Sequence, residues 1–172
     1  MRAAVLYEHG PLENIVYEDD YPEPELLTDW VRLKVAACSL NYHDIFSRRG
    51  MPGIKLPLPL ITGSDVAGEV IEIGSAVTGV SIGARVLVDP FLPSHGMIGE
   101  RFDGGRAEYC VAHHSQLVEL PAAVPYEVAA SIPLAYATAH RMLVTRARVN
   151  AEDKVLILGA SGGVGTACVL LA

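Results

Sequence analysis

The chain has 172 residues, 51% of them hydrophobic and 6% aromatic, and its formal net charge is -7 at neutral pH. This length suits one ordinary domain, or one domain and part of another, and the composition is that of a globular chain. The negative charge excludes the basic footprint expected of a nucleic-acid or anionic-membrane binder, and no apolar run is long enough to cross a bilayer.

The N-terminus and the cysteines indicate a cytoplasmic protein. The opening stretch MRAAVLYEHG becomes charged too early for a secretory signal. The cysteines Cys38, Cys110 and Cys168 are far apart and odd in number, and none belongs to a CxxC pair. We therefore expect buried, reduced thiols rather than disulfides.

Residues 1–121 are predicted to form a first domain of short strands separated by turns. Apolar and charged residues alternate along WVRLKVAACSL, as they do in a half-buried strand. The other stretches of this kind are RAAVLYE, NIVYED, VAGEVIEIG, ARVLV and AEYCVAHH. Many short strands with Gly and Pro turns predict a compact, barrel-like β domain. A single helix is predicted over residues 42–49, where Asp44 and Arg48 are spaced for an i,i+4 pair.

Residues 122–150 change character and predict a helical connector. The segment is rich in alanine and poor in strand signals, and Pro133 divides it into two helices. The basic residues Arg141, Arg146 and Arg148 gather toward the end of the second helix, where they suit the helix dipole.

The last segment, residues 151–172, predicts a strand at 155–158, a glycine loop and the start of a helix. Gly159, Gly162 and Gly165 are three apart, with Gly163 between them. Such a loop makes a tight turn, brings backbone N–H groups to a pyrophosphate and lets the helix pack closely. A P-loop is excluded because no Lys-Ser/Thr pair follows, and a glycine-rich turn in a plain α/β unit is the alternative. The strand needs neighbours, which the sequence that follows does not supply.

Several stretches, in order and almost from end to end, resemble the medium-chain dehydrogenase/reductase superfamily. They are AACSLNYHDIFSRRG, LPLITGSDVAGEVIEIGSAVTGVSIGARV, GERFDGGRAEYCVAHHSQLVELP, ASIPLAYATAH and KVLILGASGGVG. The resemblance implies a mainly β, GroES-like barrel domain, a helical connector and the first β-α unit of a Rossmann fold. The resemblance also implies that this chain has about half the usual length of a superfamily member. We therefore expect that the chain by itself does not transfer hydride.

The resemblance to zinc alcohol dehydrogenases in the superfamily raises the question of metal. The positions of their catalytic zinc ligands read Asn41, Ser64 and Leu134 here, and none of these is a thiolate or an imidazole. The stretch corresponding to the structural-zinc lobe, DPFLPSHGMIGERFDGG, has no cysteine. We therefore expect no zinc at either site. Another metal arrangement is left open for His43, Asp44, Asp65 and His95, with a metal-free polar network as the alternative, and His113 and His114 are expected to face solvent.

The chain also resembles the quinone oxidoreductase branch of the superfamily. Its N-aromatic-x-D…R-x-G helix corresponds to Asn41, Tyr42, Asp44, Arg48 and Gly50, and its AxGGVG loop usually accompanies NADPH rather than NADH. The resemblance therefore implies these cofactor-binding residues: Tyr42, Thr138, Gly159, Ala160, Ser161, Gly162, Gly163, Val164 and Gly165.

The candidate catalytic residues are Asn41, His43 and Asp65. Asn41 would offer its amide near the nicotinamide and the substrate oxygen, and His43 would supply a proton. Asp65 would order Asn41 or a water. The alternatives are an outward-facing helix residue for His43 and, for Thr138, a hydroxyl bonded to its own helix.

Three hypotheses follow for the whole protein. The first is a zinc-independent NAD(P)H-dependent oxidoreductase acting on a quinone, enone, aldehyde or alcohol, with a small-molecule substrate and a homo-oligomeric full-length form. The second is a zinc-type alcohol dehydrogenase relative with an altered metal site, which the stretch GERFDGGRAEYCV favours. The third is a non-catalytic GroES-like module. The tyrosine common in quinone and enoyl-thioester reductases after the helix glycine is missing, which leaves the substrate open.

Overall fold

The computed structural model of the chain describes residues 1–52 and 55–172 and places all of its strands before residue 120. The strands in these residues are β1 (Ala3–Leu6), β2 (Ile15–Glu18), β3 (Trp30–Cys38), β4 (Leu60–Ile61), β5 (Val66–Ile73), β6 (Arg85–Val88), β7 (Phe91–Leu92), β8 (Gly96–Met97), β9 (Tyr109–His113) and β10 (Leu117–Glu119). The helices are α1 (Tyr42–Arg49), α2 (Tyr126–Ala130), α3 (Pro133–His140) and α4 (Gly163–Leu171). All six strands predicted from the sequence before residue 121 are confirmed, and β4, β7, β8 and β10 are additional.

The main core lies on one face of a five-stranded antiparallel sheet ordered β10-β6-β5-β3-β9. In β3, Val31 and Leu33 are fully buried whereas Lys34 is exposed, which confirms the alternation seen in the sequence. Val66 and Val70 of β5 belong to the same buried cluster. The alternating pattern therefore fixes which face of each central strand packs inward.

A second, three-stranded sheet has the order β2-β1-β4, and β7 and β8 form a separate hairpin. Backbone hydrogen bonds connect the small sheet to the chain before β9, from Ala4 N–H to the Arg106 carbonyl at 2.8 Å and from Glu108 N–H to the Arg2 carbonyl at 3.0 Å. In the part of the chain that is described, the ladders form three sheets rather than one closed cylinder. The β-rich domain is confirmed, but a continuous barrel is not what the pairing gives.

The first helix has the predicted bounds, but its predicted ion pair is wrong. Asp44 is buried and its Oδ2 lies 3.0 Å from Nη2 of Arg106, while Arg48 donates from Nη1 to the Gly10 carbonyl. The two side chains on α1 therefore have partners elsewhere in the chain. A buried carboxylate gains more from an enclosed guanidinium than from a cation at the helix surface.

The connector is helical as predicted and divides at Pro133. Arg85 of β6 attaches its start to the sheet by donating to the carbonyls of Pro121, Ala122 and Val124, at 3.0, 2.9 and 2.6 Å. Beyond α3 the chain continues as a π-helical segment, Arg141–Ala147, which ends where Arg148 takes a left-handed conformation with φ of 55°.

The predicted strand at 155–158 is not formed, although the helix that follows it is. Leu156 and Leu158 are 85% and 84% exposed. A strand exists only where neighbouring backbone satisfies its N–H and C=O groups, and no described segment pairs with these residues. The following helix, α4, packs against the connector, burying Ala139 and Leu143 with Ala167 and Cys168. None of the helices in the described ranges is long and apolar enough to cross a membrane.

Candidate functional site

A buried carboxylate, Asp65, forms the centre of the candidate site. It lies between β4 and β5 and is 1% exposed. Its Oδ2 accepts hydrogen bonds from the Ser39 hydroxyl at 3.0 Å and from the Asn41 amide at 2.9 Å, while its Oδ1 accepts from the Leu134 backbone N–H at 2.8 Å. Three segments distant in sequence, the ends of β3, β4 and the start of α3, therefore meet at one side chain.

The environment of Asp65 has two opposing effects on the pKa of its carboxyl group. Burial raises the pKa of the Asp65 carboxyl, and its hydrogen bonds with Asn41, Leu134 and Ser39 partly oppose that rise. The nearby negative charge of Asp44 adds to the rise. The carboxyl is thus held by donors that favour its ionised form in a place where ionisation is costly.

Asn41 stands at the N-terminal end of α1, and its orientation is fixed from two sides. Its backbone N–H donates to Asp44 Oδ2 at 2.7 Å, and its side-chain Nδ2 donates to Asp65. The contact between Asn41 and Asp65 expected from the sequence is present. Tyr42, the next residue, is 65% exposed and packs edge-on against Phe46, with ring centroids 4.9 Å apart.

His43 is partly buried and contacts a residue that the sequence analysis did not identify. Its Nε2 lies 3.0 Å from Oε2 of Glu100, and the two side chains are 19% and 13% exposed. His43 is therefore not an outward-facing helix residue. Glu100 lies in the loop between β8 and β9, and no local sequence pattern marks it, because its partner is on α1.

Helix α3 connects the Asp65 cluster to a cleft and to the glycine loop. Leu134, at the start of α3, binds Asp65, and Thr138, one turn later, is exposed in a cleft of about 550 Å³. The β7–β8 hairpin contributes Phe91 and Met97 to the other side of this cleft. A Cβ placed on Gly163 of the glycine loop would lie 3.7 Å from the Cβ of Ala135. Helix α3 therefore contacts both Asp65 of the first domain and Gly163 of the glycine loop.

Two of the loop glycines are required by the backbone. Gly159 adopts φ of +68°, a conformation that other residues rarely take. At Gly165 a Cβ would lie 2.2 Å from the Gly159 carbonyl oxygen, so any side chain would force the loop away from α4. The Thr166 hydroxyl also donates to the Ala160 carbonyl at 3.2 Å. The loop is thus packed tightly against the first turn of α4, whose leading N–H groups have no partner within the helix.

The structure also shows the surroundings of residues that the sequence analysis considered in connection with metal binding. Ser64 is buried, and its hydroxyl has no hydrogen-bond partner among the described residues. His95 packs edge-on against Trp30, with ring centroids 5.5 Å apart. Within residues 1–52 and 55–172, no three His, Cys, Asp or Glu side chains are arranged to hold a metal ion.

The histidine pair at the end of β9, His113 and His114, differs from its prediction. Both residues are partly buried rather than simply facing solvent. The His113 ring lies edge-on to Trp30 at 6.0 Å, and its Nε2 is 3.8 Å from Asp29 Oδ2.

Part of the chain matches a known protein family, and the chain is similar to longer proteins. Residues 28–122 match the "Alcohol dehydrogenase GroES-like domain" family. The chain is 35% identical over 171 residues to "Quinone oxidoreductase-like protein 2 homolog" of Nematostella vectensis, covering 99% of this chain and 44% of the relative. It is 34% identical over 173 residues to "NADPH-dependent alkenal/one oxidoreductase, chloroplastic" of Arabidopsis thaliana, covering 100% of this chain and 44% of the relative.

The fold is also similar to that of a solved structure. A putative alcohol dehydrogenase from Sinorhizobium meliloti 1021 superposes with a TM-score of 0.92 at 33% identity, covering 99% of this chain and 54% of that structure. The chain thus spans less than half the length of these two curated relatives and about half of the solved structure.

Proposed function

Because the chain belongs to the medium-chain dehydrogenase/reductase superfamily, through an alcohol dehydrogenase GroES-like domain, we propose a function for the full-length protein within that superfamily. It is a zinc-independent, NADPH-dependent reductase that transfers a hydride to a quinone, an enone or an aldehyde. Its partners are small-molecule substrates, it works in the cytoplasm, and its full-length form is a homo-oligomer.

The observation that carries this proposal is the hydrogen-bonded state of Asp65. Both carboxylate oxygens are already bonded to protein donors, from Ser39, Asn41 and Leu134. Two of the positions where zinc relatives carry ligands, Asn41 and Leu134, serve here as donors to that carboxylate. The cluster satisfies its polar groups by hydrogen bonds, which supports a role in orienting Asn41.

Asn41 then supplies what a metal supplies in zinc relatives. Reduction of a carbonyl or an enone builds negative charge on the substrate oxygen, and a fixed N–H donor stabilises that charge. An asparagine amide has two N–H donors, and the contact with Asp65 uses one. The second N–H of Asn41 is the donor that we assign to the substrate oxygen. Because Asp65 and Asp44 fix the residue from both sides, little reorganisation is needed when charge develops.

The cofactor residues fit a dinucleotide. The conformation of Gly159 and the contact that excludes a side chain at Gly165 keep the loop close to the first turn of α4. The Gly162–Gly165 segment would face the pyrophosphate with its N–H groups, and Thr138 and Tyr42 would lie beside the nicotinamide. When bound, the reduced nicotinamide supplies the hydride. NADPH is proposed over NADH because of the AxGGVG pattern and the NADPH-dependent Arabidopsis relative.

Direct hydride transfer is the reaction to test. The full-length protein is incubated with NADPH deuterated at C4 of the nicotinamide and with a quinone, an enone or an aldehyde, and the products are analysed by mass spectrometry. For an enone or an aldehyde we expect deuterium on a product carbon; for a quinone we expect NADPH-dependent formation of the hydroquinone. Parallel incubations use deuterated NADH and an alcohol with NAD⁺.

The outcomes separate the three hypotheses. Turnover of an alcohol that disappears after chelation and returns with zinc would identify the altered zinc-type dehydrogenase instead. Absence of transfer to or from every substrate class, in a folded full-length protein that does not bind NADPH, would leave the non-catalytic module.

A further inference from the structure

The contact between His43 and Glu100 is the feature from which we infer a further role. The Nε2 of His43 is enclosed by protein and lies 3.0 Å from Glu100 Oε2, without a regular hydrogen bond between the two side chains. Polar groups of catalytic sites are often poorly aligned before substrate binds and align when the complex forms. Glu100 is therefore the group that meets the buried nitrogen of the proposed proton donor.

The loop that carries Glu100 is held firmly in place. Gly99 has φ of +75°, and a Cβ there would lie 2.8 Å from the backbone of Gly63. On the other side of Glu100, Gly104 donates its N–H to the Ile61 carbonyl at 2.7 Å. The loop is thus packed against the segment that leads into Asp65. The second oxygen of Glu100, Oε1, lies 3.1 Å from Nε of Arg101.

A carboxylate oxygen this close to a ring nitrogen determines where the imidazole carries its proton. If Nε2 were unprotonated, its partial negative charge would lie 3.0 Å from Glu100 Oε2 in a partly buried place, which is repulsive. A proton on Nε2 turns the same contact into an attractive one. The contact therefore favours a proton on Nε2, which leaves Nδ1 as the nitrogen available for proton exchange.

We propose that Glu100 is the positioning residue of His43, and that it fixes the imidazole so that Nδ1 exchanges the catalytic proton. This inference rests on the proposed reductase function. Once a hydride has been added to the substrate, the Nδ1–H bond of the His43 imidazolium breaks and an O–H bond forms at the anionic substrate oxygen. The imidazolium becomes a neutral imidazole that keeps its Nε2 proton toward Glu100, and solvent restores the Nδ1 proton.

The first test is nitrogen NMR of His43 in the full-length protein, and it needs neither cofactor nor substrate. With ¹⁵N-labelled histidine and a His43→Asn variant for assignment, we expect a one-bond proton correlation at Nε2 that persists when the ring is neutral. In Glu100→Leu that correlation should move upfield or vanish by exchange with solvent. A neutral wild-type ring protonated on Nδ1, or an Nε2 correlation unchanged in Glu100→Leu, would overturn the proposal.

Glu108→Gln is the matched control. Glu108 forms an ion pair with Arg2 at 2.6 Å on the surface, where the two side chains are 33% and 61% exposed. Removing its charge should leave the His43 signals unchanged. Glu100→Asp keeps the carboxylate on a shorter side chain and should retain the Nε2 correlation at a shifted position. This variant keeps the proposal testable if Glu100→Leu does not fold.

Kinetic measurements on the full-length protein test the positioning role of Glu100 separately from the proposed reductase function. Glu100→Leu should lower kcat about tenfold with KM changed less than about twofold, as for the loss of a partner that orients an active-site histidine, and Glu100→Asp should recover part of the loss. If no substrate is reduced by the wild type, the reductase function fails while the NMR result still stands. If the wild type reduces substrate and Glu100→Leu matches it, the positioning role alone is wrong.

Discussion

The β region before residue 120 and the segment after residue 150 satisfy their backbone and apolar groups to different degrees. In the first, Val31 and Leu33 are fully buried and their strand is paired on both sides. In the second, Leu156 and Leu158 have the apolar character of a buried strand but are 85% and 84% exposed. The same residue types are therefore strand core in one region and exposed chain in the other.

This difference shows which part of the candidate site has its packing partners among the described residues and which part does not. The Asp65 cluster is complete because the segments after β3 and β4 and the start of α3 all lie around it. The glycine loop keeps its tight turn because Gly159 and Gly165 contact each other. The segment before that loop has no sheet to join among the described residues, so its conformation depends on neighbours rather than on its own sequence.

The largest expected effect contrasts two leucines. Leu33→Ala removes a fully buried side chain from the centre of the large sheet and should lower the free energy of unfolding by about 2–5 kcal/mol. Leu158→Ala removes a side chain that is 84% exposed and should change it by less than about 0.5 kcal/mol. Denaturant unfolding of the 172-residue chain measures both. Equal losses would mean that the two regions do not differ in packing.

Gly165→Ala tests the packing of the glycine loop. The new Cβ would lie 2.2 Å from the Gly159 carbonyl oxygen, so the loop must separate from α4, at a cost of about 1–3 kcal/mol. Gly163→Ala is the control, because its Cβ would meet only Ala135 at an ordinary 3.7 Å. Thermal unfolding compares the two variants. If Gly165→Ala is as stable as Gly163→Ala, the loop is not held by this contact.

Asp65→Asn tests the centre of the site and should cost about 1–3 kcal/mol. Its amide would place an NH₂ group where one carboxylate oxygen now accepts, facing either the Leu134 N–H or the donors of Ser39 and Asn41. Because the pKa of Asp65 is raised by burial, the folded state binds its proton more tightly than the unfolded state. The contribution of Asp65 to stability is therefore full at low pH and falls as pH rises through the folded pKa.

Unfolding of the wild type and Asp65→Asn at a series of pH values measures this directly. The stability gap between the two proteins should narrow as pH rises from the ordinary carboxyl range through the raised pKa. A gap that widens over that range would contradict the assigned direction of the pKa.

The smallest expected effects compare two arginines. Arg85→Ala removes three hydrogen bonds to backbone carbonyls and a contact over the Tyr126 ring at 4.4 Å, and should cost about 1–2 kcal/mol. Arg2→Ala removes an exposed ion pair with Glu108 and should cost less than about 1 kcal/mol. Urea midpoints measure both, and a reversed order would mean that Arg85 does not hold the connector.

The sequence predicted elements well where periodicity reflects burial. The alternation in β3 and the separation of α2 from α3 at Pro133 are confirmed because side-chain patterning and proline act locally. The strand at 155–158 was wrong because a strand also needs partners. In the site, the contact between Asn41 and Asp65 followed from the resemblance. Glu100 and Arg106 were missed because their contacts with His43 and Asp44 join residues far apart in sequence.

The measurement that tests the central claim most directly is NADPH oxidation by the full-length protein, with metal content determined in the same samples before and after chelation. We expect turnover of an enone, a quinone or an aldehyde at an unchanged rate when less than about one zinc per ten chains remains, since the hydrogen bond from Asn41 replaces the metal. A rate that falls in proportion to the zinc removed, and returns when zinc is added, would contradict the account.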